Sequence, residues 1–552
     1  MVRRTRPTKG KSRTASGRQQ KRKASTTPRS VKSDRSVRAP KKSRSASKTK
    51  KKTVSRRPRR VRYALEMAPG LEQLIKSSAT LSKTAKGLGE NVTFTVAPKT
   101  ISSEPIQAQR GRLHGRNIDD FRPRRESMEG AIERLGQLGF EIVHRGRFGI
   151  TVRGPAKLVS DVLKIQLAIQ ARPRCTSLRA TQNFAVSYLP PAAEDLYVAP
   201  TESLTVKSTV SDDVDHFVFI PPPHYFAPPS PVEPRPSYFG VDKVAIRRLL
   251  NVPTGASGAG VKVAIIDTGF FRHPYYAANT LDYRPTPTPS KPDPESDSVG
   301  HGTAIAYNTF AVAPDATVMG FQQIDAAPEV ALEGAADAGA DIISCSWGFQ
   351  DETITSPILE ATIRDLVREG KIVLFASGNN GVQAWPGSMP DVLSIGGVYA
   401  NDQNQLEASN FASGFMSNHY PGRRVPDVCG LCGEKPKGIY IMMPCPPNCT
   451  LDKLFAGSSF PDGDETRRDD GWVSTSGTSA ATPQIAGVVA LMVARARANG
   501  RTLTTDSVRD LLQQTAVAVQ RGRNAQGIPA VGHPNTAVGF GLVDAAAALA
   551  RI

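Results

Sequence analysis

Three separate stretches of this 552-residue chain place an acid, a base and a hydroxyl where each could react. Asp267 directly follows the apolar run 261–266, so its carboxylate is predicted at the end of a buried strand. His301 lies between two glycines, which leave the edge of its imidazole open. Ser479 precedes a long helix of small and apolar residues, where the helix dipole favours developing negative charge. Together these groups could form a proton relay that activates a hydroxyl.

Each of these residues, taken alone, also has an ordinary structural interpretation. Asp267 could cap a turn, and its Asp-Thr-Gly also occurs in aspartic proteases, although this sequence has no second copy for the required pair. His301 could be a structural histidine, and Ser479 could be a plain helix N-cap. Asn379, in Ser-Gly-Asn-Asn-Gly, fits either a turn or an amide that donates to an oxyanion. The four residues together favour a catalytic site over these structural interpretations.

The elements that must position these residues alternate along the chain from residue 238 onward. The predicted strands are 261–266, 341–344, 371–376 and 392–395, and the predicted helices are 328–339 and 357–369. This alternation predicts an α/β fold with a parallel sheet covered by helices on both faces. In such sheets, functional sites form at the carboxyl ends of the strands.

A smaller module precedes this region. Residues 90–190 contain, in order, an alternating strand, a helix with apolar residues at helical spacing, a predicted hairpin and a second helix that opens at Gly154-Pro155. Strand, helix, hairpin and helix make up most of a ferredoxin-like α+β sandwich. Two domains are therefore predicted, the module at 90–190 and the larger domain at 237–552.

Charge and proline content define the remaining segments. Residues 1–62 contain 26 of the 71 Lys and Arg residues and one of the 50 Asp and Glu residues, so this segment has a net charge of +25 and the other 490 residues have a net charge of −4. This segment has almost nothing to bury and is predicted to be disordered. It could bind nucleic acid through phosphates without sequence choice, or act as a solubilising tail without a partner. Residues 63–89 are predicted as a connector and 191–236 as a Pro-rich linker.

Composition excludes several classes of protein. The longest apolar run, residues 485–494, is half the length of a membrane span of about 20 residues. Six cysteines are too few for a disulfide-built scaffold. The N-terminus lacks the apolar core of a secretory signal, so a cytoplasmic protein is predicted, with export by another route left open.

Four of the cysteines cluster in an insertion predicted at about 425–470. Cys429, Cys432, Cys445 and Cys449 have the spacing C-x2-C-x12-C-x3-C. That spacing is compatible with tetrahedral zinc, with disulfides or with free thiols. Zinc is not the favoured alternative, and no cofactor is required by the predicted chemistry.

Residues 240–552 resemble the subtilisin-like (subtilase, peptidase S8) serine peptidases. The resemblance is carried by GVKVAIIDTG, GHGTAIA, AVAPDATVMGFQ, ADIISCSWG, LFASGNNG, STSGTSAATPQIAGVVAL and GFGLVDAAAAL, with Asp, His and Ser in the order of that family. It implies that Ser479 is the nucleophile, His301 the general base and Asp267 the residue that orients it. It also implies that Asn379 completes an oxyanion hole. The stretch Ser346-Trp347-Gly348 resembles the strand edge that binds extended substrate backbone.

The smaller module resembles the propeptide of sedolisin-type proteases in the stretch AIERLGQLGFEIVHRGRFGITVRGPAKLVSDVL. Sedolisins use a Glu base and an Asp in the oxyanion position, whereas this chain has His301 and Asn379, both typical of subtilases. The resemblances imply an endopeptidase made as a zymogen, with polypeptide substrates and its own propeptide as partners. Activity should then rise through a pKa near 6–7. The alternative is a catalytically silent, protease-like protein that binds nucleic acid through its basic tail.

Overall fold

The structure is a computed structural model that describes most of the chain. The described residues are 65–67, 71–102, 104–171, 174–180, 183–189, 196–201, 212–223, 239–323, 327–352, 354, 356–401, 403–434, 439–457 and 466–552. The chain divides into two units, Met1–Val61 and Arg62–Ile552, and every described residue belongs to the second. The predicted basic tail therefore lies outside the described residues.

The N-terminal module contains a four-stranded antiparallel sheet, a three-stranded sheet, a two-stranded sheet and four α-helices among its described residues. Its elements are β1 (Glu66–Met67), α1 (Leu71–Ser77), α2 (Ala79–Glu90), β2 (Val92–Pro98), α3 (Arg125–Gln137), β3 (Glu141–Arg145), β4 (Ile150–Gly154), α4 (Ala156–Leu163), β5 (Leu167–Ala171), β6 (Arg174–Ala180), β7 (Asn183–Leu189), β8 (Leu196–Pro200) and β9 (Val214–Val218). The larger sheet has the order β3-β4-β2-β9. With α3 and α4 as the crossing helices, this is the ferredoxin-like arrangement that the sequence predicts.

The module is larger than the predicted range 90–190. The second sheet has the order β1-β5-β8, so strands on both sides of that range complete it. Helices α1 and α2 bury their apolar residues in the same core as β2. The prediction of a connector at 63–89 is therefore wrong. The predicted linker at 191–236 begins too early, because β8 and β9 belong to the folded module.

The C-terminal domain is built on an eight-stranded sheet. Its elements are β10 (Phe239–Gly240), α5 (Lys243–Leu249), β11 (Lys262–Asp267), α6 (Pro274–Ala278), β12 (Tyr283–Thr286), α7 (His301–Val312), β13 (Thr317–Gln322), α8 (Pro328–Asp337), β14 (Ile342–Cys345), α9 (Pro357–Arg368), β15 (Ile372–Ala376), β16 (Leu393–Ala400), β17 (Leu406–Ala408), β18 (Phe415–Met416), β19 (Arg424–Val425), β20 (Val428–Leu431), β21 (Ile439–Pro444), α10 (Thr450–Phe455), β22 (Trp472–Thr475), α11 (Thr478–Ala498), α12 (Thr505–Thr515) and α13 (Ala545–Leu549). The predicted strands and helices of this domain agree with these elements to within a few residues.

The central sheet has the order β12-β13-β11-β14-β15-β16-β17, and β20 also pairs with β16. All its pairs are parallel except β16 with β17. Helices α7 and α11 pack on one face, and α8 and α9 on the other. The strands are therefore buried on both sides, which explains why they read as continuous apolar runs. The predicted α/β class is confirmed.

The core under α8 and α9 is shared with the N-terminal module. Phe148 and Ile118 of the module lie in one apolar cluster with Leu332 of α8 and Ile358 of α9, and all four are buried. Helices that would otherwise face solvent therefore bury apolar surface against the module. This burial stabilises the attachment of the module to the domain.

The inserted segment starts later than the predicted boundary near residue 425. Strand β20, which carries Cys429, is part of the central sheet and pairs with β16. The added structure follows it: β21 and β22 pair with each other and, through β21, with β10. The backbone amides of Thr450 and Leu451 at the start of α10 donate to the carbonyls of Ser298 and Val299, both at 3.0 Å. The insertion thus supports the loop that leads into α7.

Helix α11 passes through the centre of the domain. By length and composition alone it could cross a membrane, but 89% of its most apolar 18-residue window is buried inside the protein. An all-round apolar helix is what a position against the sheet requires. Its first turn carries Ser479 to the edge of the sheet where β11, β14 and β15 end.

Candidate active site

The predicted site residues lie at the carboxyl ends of three adjacent strands and at the start of two helices. Asp267 is the last residue of β11, and Ser346 and Asn379 follow β14 and β15. His301 begins α7 and Ser479 is the second residue of α11. Because β11, β14 and β15 are neighbours in a parallel sheet, their carboxyl ends meet at one edge. The fold therefore brings residues from five distant stretches together.

Asp267 and His301 form a buried hydrogen bond. The Nδ1 atom of His301 lies 2.7 Å from Oδ1 of Asp267, whose side chain has no exposed surface. The same oxygen accepts a bond from the Thr268 amide at 2.7 Å, which fixes the carboxylate. An ionised carboxylate only accepts, so His301 carries its proton on Nδ1 and presents Nε2 as the basic nitrogen.

Burial lowers the pKa of His301, because the charged imidazolium loses solvent. The charge and the hydrogen bond of Asp267, with a further contribution from the charge of Asp297, more than offset this effect and raise the pKa above its usual value. The imidazole is thus a stronger base than an isolated histidine. It is also uncharged, and able to take a proton, only at higher pH.

Ser479 is held against Ser346, which directly follows β14. Its hydroxyl donates to the Ser346 carbonyl at 3.3 Å, and the Ser346 hydroxyl donates to the Ser479 carbonyl at 3.0 Å. The side chain sits in the first turn of α11, where amides without helical partners and the helix dipole favour negative charge. Pro483 lies within the helix. The environment therefore suits a hydroxyl that becomes an alkoxide.

Asn379 presents an unused donor next to Ser479. Its Oδ1 accepts bonds from the amide and from the hydroxyl of Thr478, both at 3.0 Å. These bonds fix the orientation of the amide group, so Nδ2 points the other way. Nδ2 is buried and has no hydrogen-bond partner among the described residues. A buried donor without a partner is costly unless it has a use, such as binding an oxyanion.

The predicted substrate-binding stretch is positioned by its backbone, with side chains directed inward. Trp347 is fully buried, and its indole donates to the Ile266 carbonyl at 2.9 Å. A Cβ on Gly348 would lie 3.0 Å from Cβ of Ala384, so little space is left there. The side chains of Ser346 and Trp347 therefore cannot contact a substrate in this conformation. Only their backbone groups could pair with one.

A second buried carboxylate lies near the site, and the sequence alone does not single it out. Asp297 precedes His301 by four residues, is buried, and is bonded to residues of both the β11 loop and the first turn of α7. The sequence signal was the acidic residue within the short run Asp-Ser-Val-Gly-His. This signal alone does not indicate a site, because a loop aspartate before a helix usually serves as a cap.

The four clustered cysteines occupy two different surroundings. Cys429 and Cys432 lie on or beside β20, and burial raises the pKa of both thiols, that of Cys432 to about 12. Cys445 and Cys449 lie behind the loop before α7: a Cβ on Gly300 would be 2.4 Å from Sγ of Cys449 and 3.4 Å from Cβ of Cys445. In the part of the chain that the structure describes, no group of three or more His, Cys, Asp or Glu side chains could hold a metal ion.

Comparison with known proteins agrees with this geometry. The model of the subtilase family (peptidase S8) matches residues 258–541. This match covers slightly more than half of the chain and includes β11, α7 and the start of α11. The chain therefore belongs to the subtilase family.

Individual relatives are distant. The chain is 26% identical to the serine protease AprX of Bacillus subtilis over 293 residues, which are 47% of this chain and 61% of AprX, less than two thirds of that protein. It is 28% identical to subtilisin BL of Lederbergia lenta over 258 residues, 43% of this chain and 78% of that protein.

The fold likeness extends further than the sequence likeness. The crystal structure of fervidolysin from Fervidobacterium pennivorans, described as a keratinolytic enzyme related to subtilisin, superposes with a TM-score of 0.50 at 15% identity. The match covers 83% of this chain and 61% of that one. At this identity it supports the subtilisin-like fold and nothing more specific.

Proposed function

We propose that the protein is a serine endopeptidase that cleaves polypeptides through an acyl-enzyme intermediate. The observation that carries the proposal is the buried 2.7 Å hydrogen bond between Asp267 and His301 in a domain of the subtilase family. Ser479, at a helix start, and the amide of Asn379 supply the other two parts of the machinery in this proposal.

In the proposed mechanism, the Ser479 hydroxyl turns from the Ser346 carbonyl toward Nε2 of His301 when a substrate binds. His301 takes its proton as Oγ attacks the carbonyl carbon of the scissile bond. Asp267 stabilises the imidazolium, and the Asn379 Nδ2–H and the Ser479 amide donate to the oxyanion. The imidazolium then protonates the leaving amine, and a water molecule activated by His301 hydrolyses the acyl-enzyme.

The N-terminal module acts as a propeptide in this proposal. It covers α8 and α9 through the shared apolar core and through polar contacts such as Arg122 Nη2 with Asp365 at 2.7 Å and Thr95 with Glu329 at 2.7 Å. Its ferredoxin-like topology and its resemblance to sedolisin propeptides support this role. Cleavage between the module and residue 239 would release the mature domain.

Mass spectrometry of the purified wild type beside Ser479→Ala tests the proposal. The wild type is expected to be cut between the module and the domain and to hydrolyse casein, whereas Ser479→Ala stays at full length and is inactive. A folded wild type that remains uncut and inactive would contradict the peptidase proposal. It would favour the alternative, a binding protein that uses its basic tail on nucleic acid.

A further inference from the structure

Asp297 is a buried carboxylate whose two oxygens are both fully used. Oδ1 accepts from the Thr268 hydroxyl at 2.9 Å and from the Gly300 amide at 2.8 Å. Oδ2 accepts from the Thr303 amide at 3.0 Å and from the Thr303 hydroxyl at 2.6 Å. Only 5% of the residue is exposed. Burial raises the pKa of Asp297, whereas the four donors that converge on it oppose this effect and favour the ionised form, which accepts and does not donate.

The two threonines extend this carboxylate into a brace between two segments. The Thr268 hydroxyl, which donates to Asp297, accepts from the Gly302 amide at 3.0 Å. The Thr303 hydroxyl, which also donates to Asp297, accepts from the Phe271 amide at 2.9 Å. Each hydroxyl therefore donates to the carboxylate and accepts from a backbone amide, and these two bonds fix its orientation. The bonds tie residues 268–271, after β11, to residues 300–303, at the start of α7.

This brace encloses the pair that the proposed mechanism uses. Asp267 directly precedes Thr268, and His301 lies between Gly300 and Gly302, both of which donate into the network. The two segments are in close contact, since a Cβ on Gly302 would lie 2.3 Å from the Gly269 carbonyl oxygen. Only glycine fits there. A small displacement of either segment would separate the carboxylate from the imidazole.

We propose that Asp297 is a positioning residue for the peptidase reaction, which holds His301 against Asp267 and supplies a second negative charge to the imidazole. This inference rests on the proposed function and adds to it. Asp297 touches neither substrate nor reacting atoms. It acts through the backbone on both sides of His301 and through its charge.

Among the described residues, two carboxylates act on the charge of the imidazole. Asp267 contacts it from β11, and Asp297 lies on the loop before α7. Behind Gly300 are the thiols of Cys445 and Cys449, from the insertion. Both carboxylates stabilise the imidazolium, so removing either charge lowers the pKa of His301. Loss of Asp297 should therefore move the acidic limb of activity to lower pH.

Asp297→Asn is the direct test, because it preserves shape and removes charge. An amide has one oxygen, so its NH2 group must face either the Gly300 or the Thr303 backbone amide, where two donors meet. We expect kcat to fall about 10–100-fold with KM within about threefold, and the limb of kcat/KM to move to lower pH. The matched control is Asp427→Asn, which removes a similarly buried carboxylate bonded to the Ser394 amide. Asp427→Asn should leave the acidic limb of kcat/KM at the same pH as in the wild type.

A second measurement does not depend on activity. In the Ser479→Ala background, the His301 imidazole is titrated by NMR with and without Asp297→Asn, and the pKa is expected to be lower with it. An unchanged His301 pKa would overturn the proposal even if turnover fell, because a merely structural residue would lower turnover without moving that pKa. Inactivity of the wild type would contradict the peptidase function instead, and the NMR comparison would still decide the role of Asp297.

If Asp297→Asn does not fold, Thr303 provides a milder probe. Thr303→Val removes the hydroxyl that links Asp297 to Phe271, whereas Thr303→Ser keeps it. We expect Thr303→Val to lower kcat about tenfold, whereas Thr303→Ser should keep most of the wild-type kcat. Equal activity of the two variants would contradict the brace.

Discussion

The hydroxyl of Thr95, in the N-terminal module, donates to the carboxylate of Glu329, on α8, at 2.7 Å. Glu329 is buried under the module, and this burial raises its pKa to about 7. A carboxyl whose folded pKa is raised binds its proton more tightly in the folded state. The resulting stability is present below the usual pKa of 4.5 and is lost as pH rises to 7. The attached module should therefore be least stable at alkaline pH.

Glu329→Gln should remove this pH dependence, since Gln keeps the acceptor for Thr95 and has no charge. In the Ser479→Ala background, the free energy of unfolding at pH 8 should rise by on the order of 1–3 kcal/mol, with little change at pH 5. Urea unfolding at pH 5 and at pH 8 measures this difference in the free energy of unfolding. Glu133→Gln, at an exposed site on α3, is the control. Equal effects of Glu329→Gln at pH 5 and pH 8 would contradict the assignment.

One carboxylate of the domain accepts hydrogen bonds from two guanidinium groups of the module. Asp365 of α9 accepts from Arg122 at 2.7 Å and from Arg147 at 3.0 Å, both in the module, and its own side chain is 1% exposed. Asp365→Ala would leave both guanidinium groups without this partner. We expect a loss of about 2–4 kcal/mol in the free energy of unfolding of the uncut chain.

Asp161→Ala is the matched control for Asp365→Ala. It removes a carboxylate of an exposed pair with Lys157 on one helix, and such pairs contribute little. We expect no measurable change in the free energy of unfolding. If the two variants lost the same stability, the Asp365 cluster would not be what secures the module.

The pH dependence of activity follows from the raised pKa of His301. Only the neutral imidazole can take the Ser479 proton, so kcat/KM should rise with pH through a pKa above the usual 6.5. Rates on a peptide substrate between pH 5 and pH 9 provide the measurement. An optimum at acidic pH without this limb would show that the base is misassigned.

The role of Asn379 can be separated from its structural contacts. Asn379→Asp keeps an oxygen for the Thr478 amide and hydroxyl but removes the Nδ2 donor and adds a negative charge near the oxyanion. Turnover should fall at least about 10²–10³-fold, the cost of one lost oxyanion donor, with a smaller effect on KM. Unchanged turnover in a folded variant would exclude the amide from the oxyanion hole.

Much of the fold and of the candidate site could be predicted because the signals are local. Strands such as β11 and β15 are continuous apolar runs, and each proposed catalytic residue lies in a short glycine-rich stretch at the end of an element. A resemblance to subtilases then connects these stretches in the correct order. The residues themselves did not reveal that Trp347 would point into the core.

The rest depends on contacts between distant residues. Glu66 pairs with Ala168, about 100 residues away, so the second sheet of the module leaves no local pattern. Asp297 could not be distinguished from a helix cap, because its partners on the β11 loop are defined only once β11 and α7 are packed together. Similarly, the roles of Glu329 on α8 and Asp365 on α9 depend on the packing of the module against these helices, which no local pattern indicates.

Labelling with a serine-directed fluorophosphonate tests the central claim most directly. We expect that the folded wild type is labelled at Ser479, and that labelling is lost in Ser479→Ala and greatly slowed in His301→Ala. A correctly folded wild type that is not labelled, or that is labelled equally after Ser479→Ala, would contradict it.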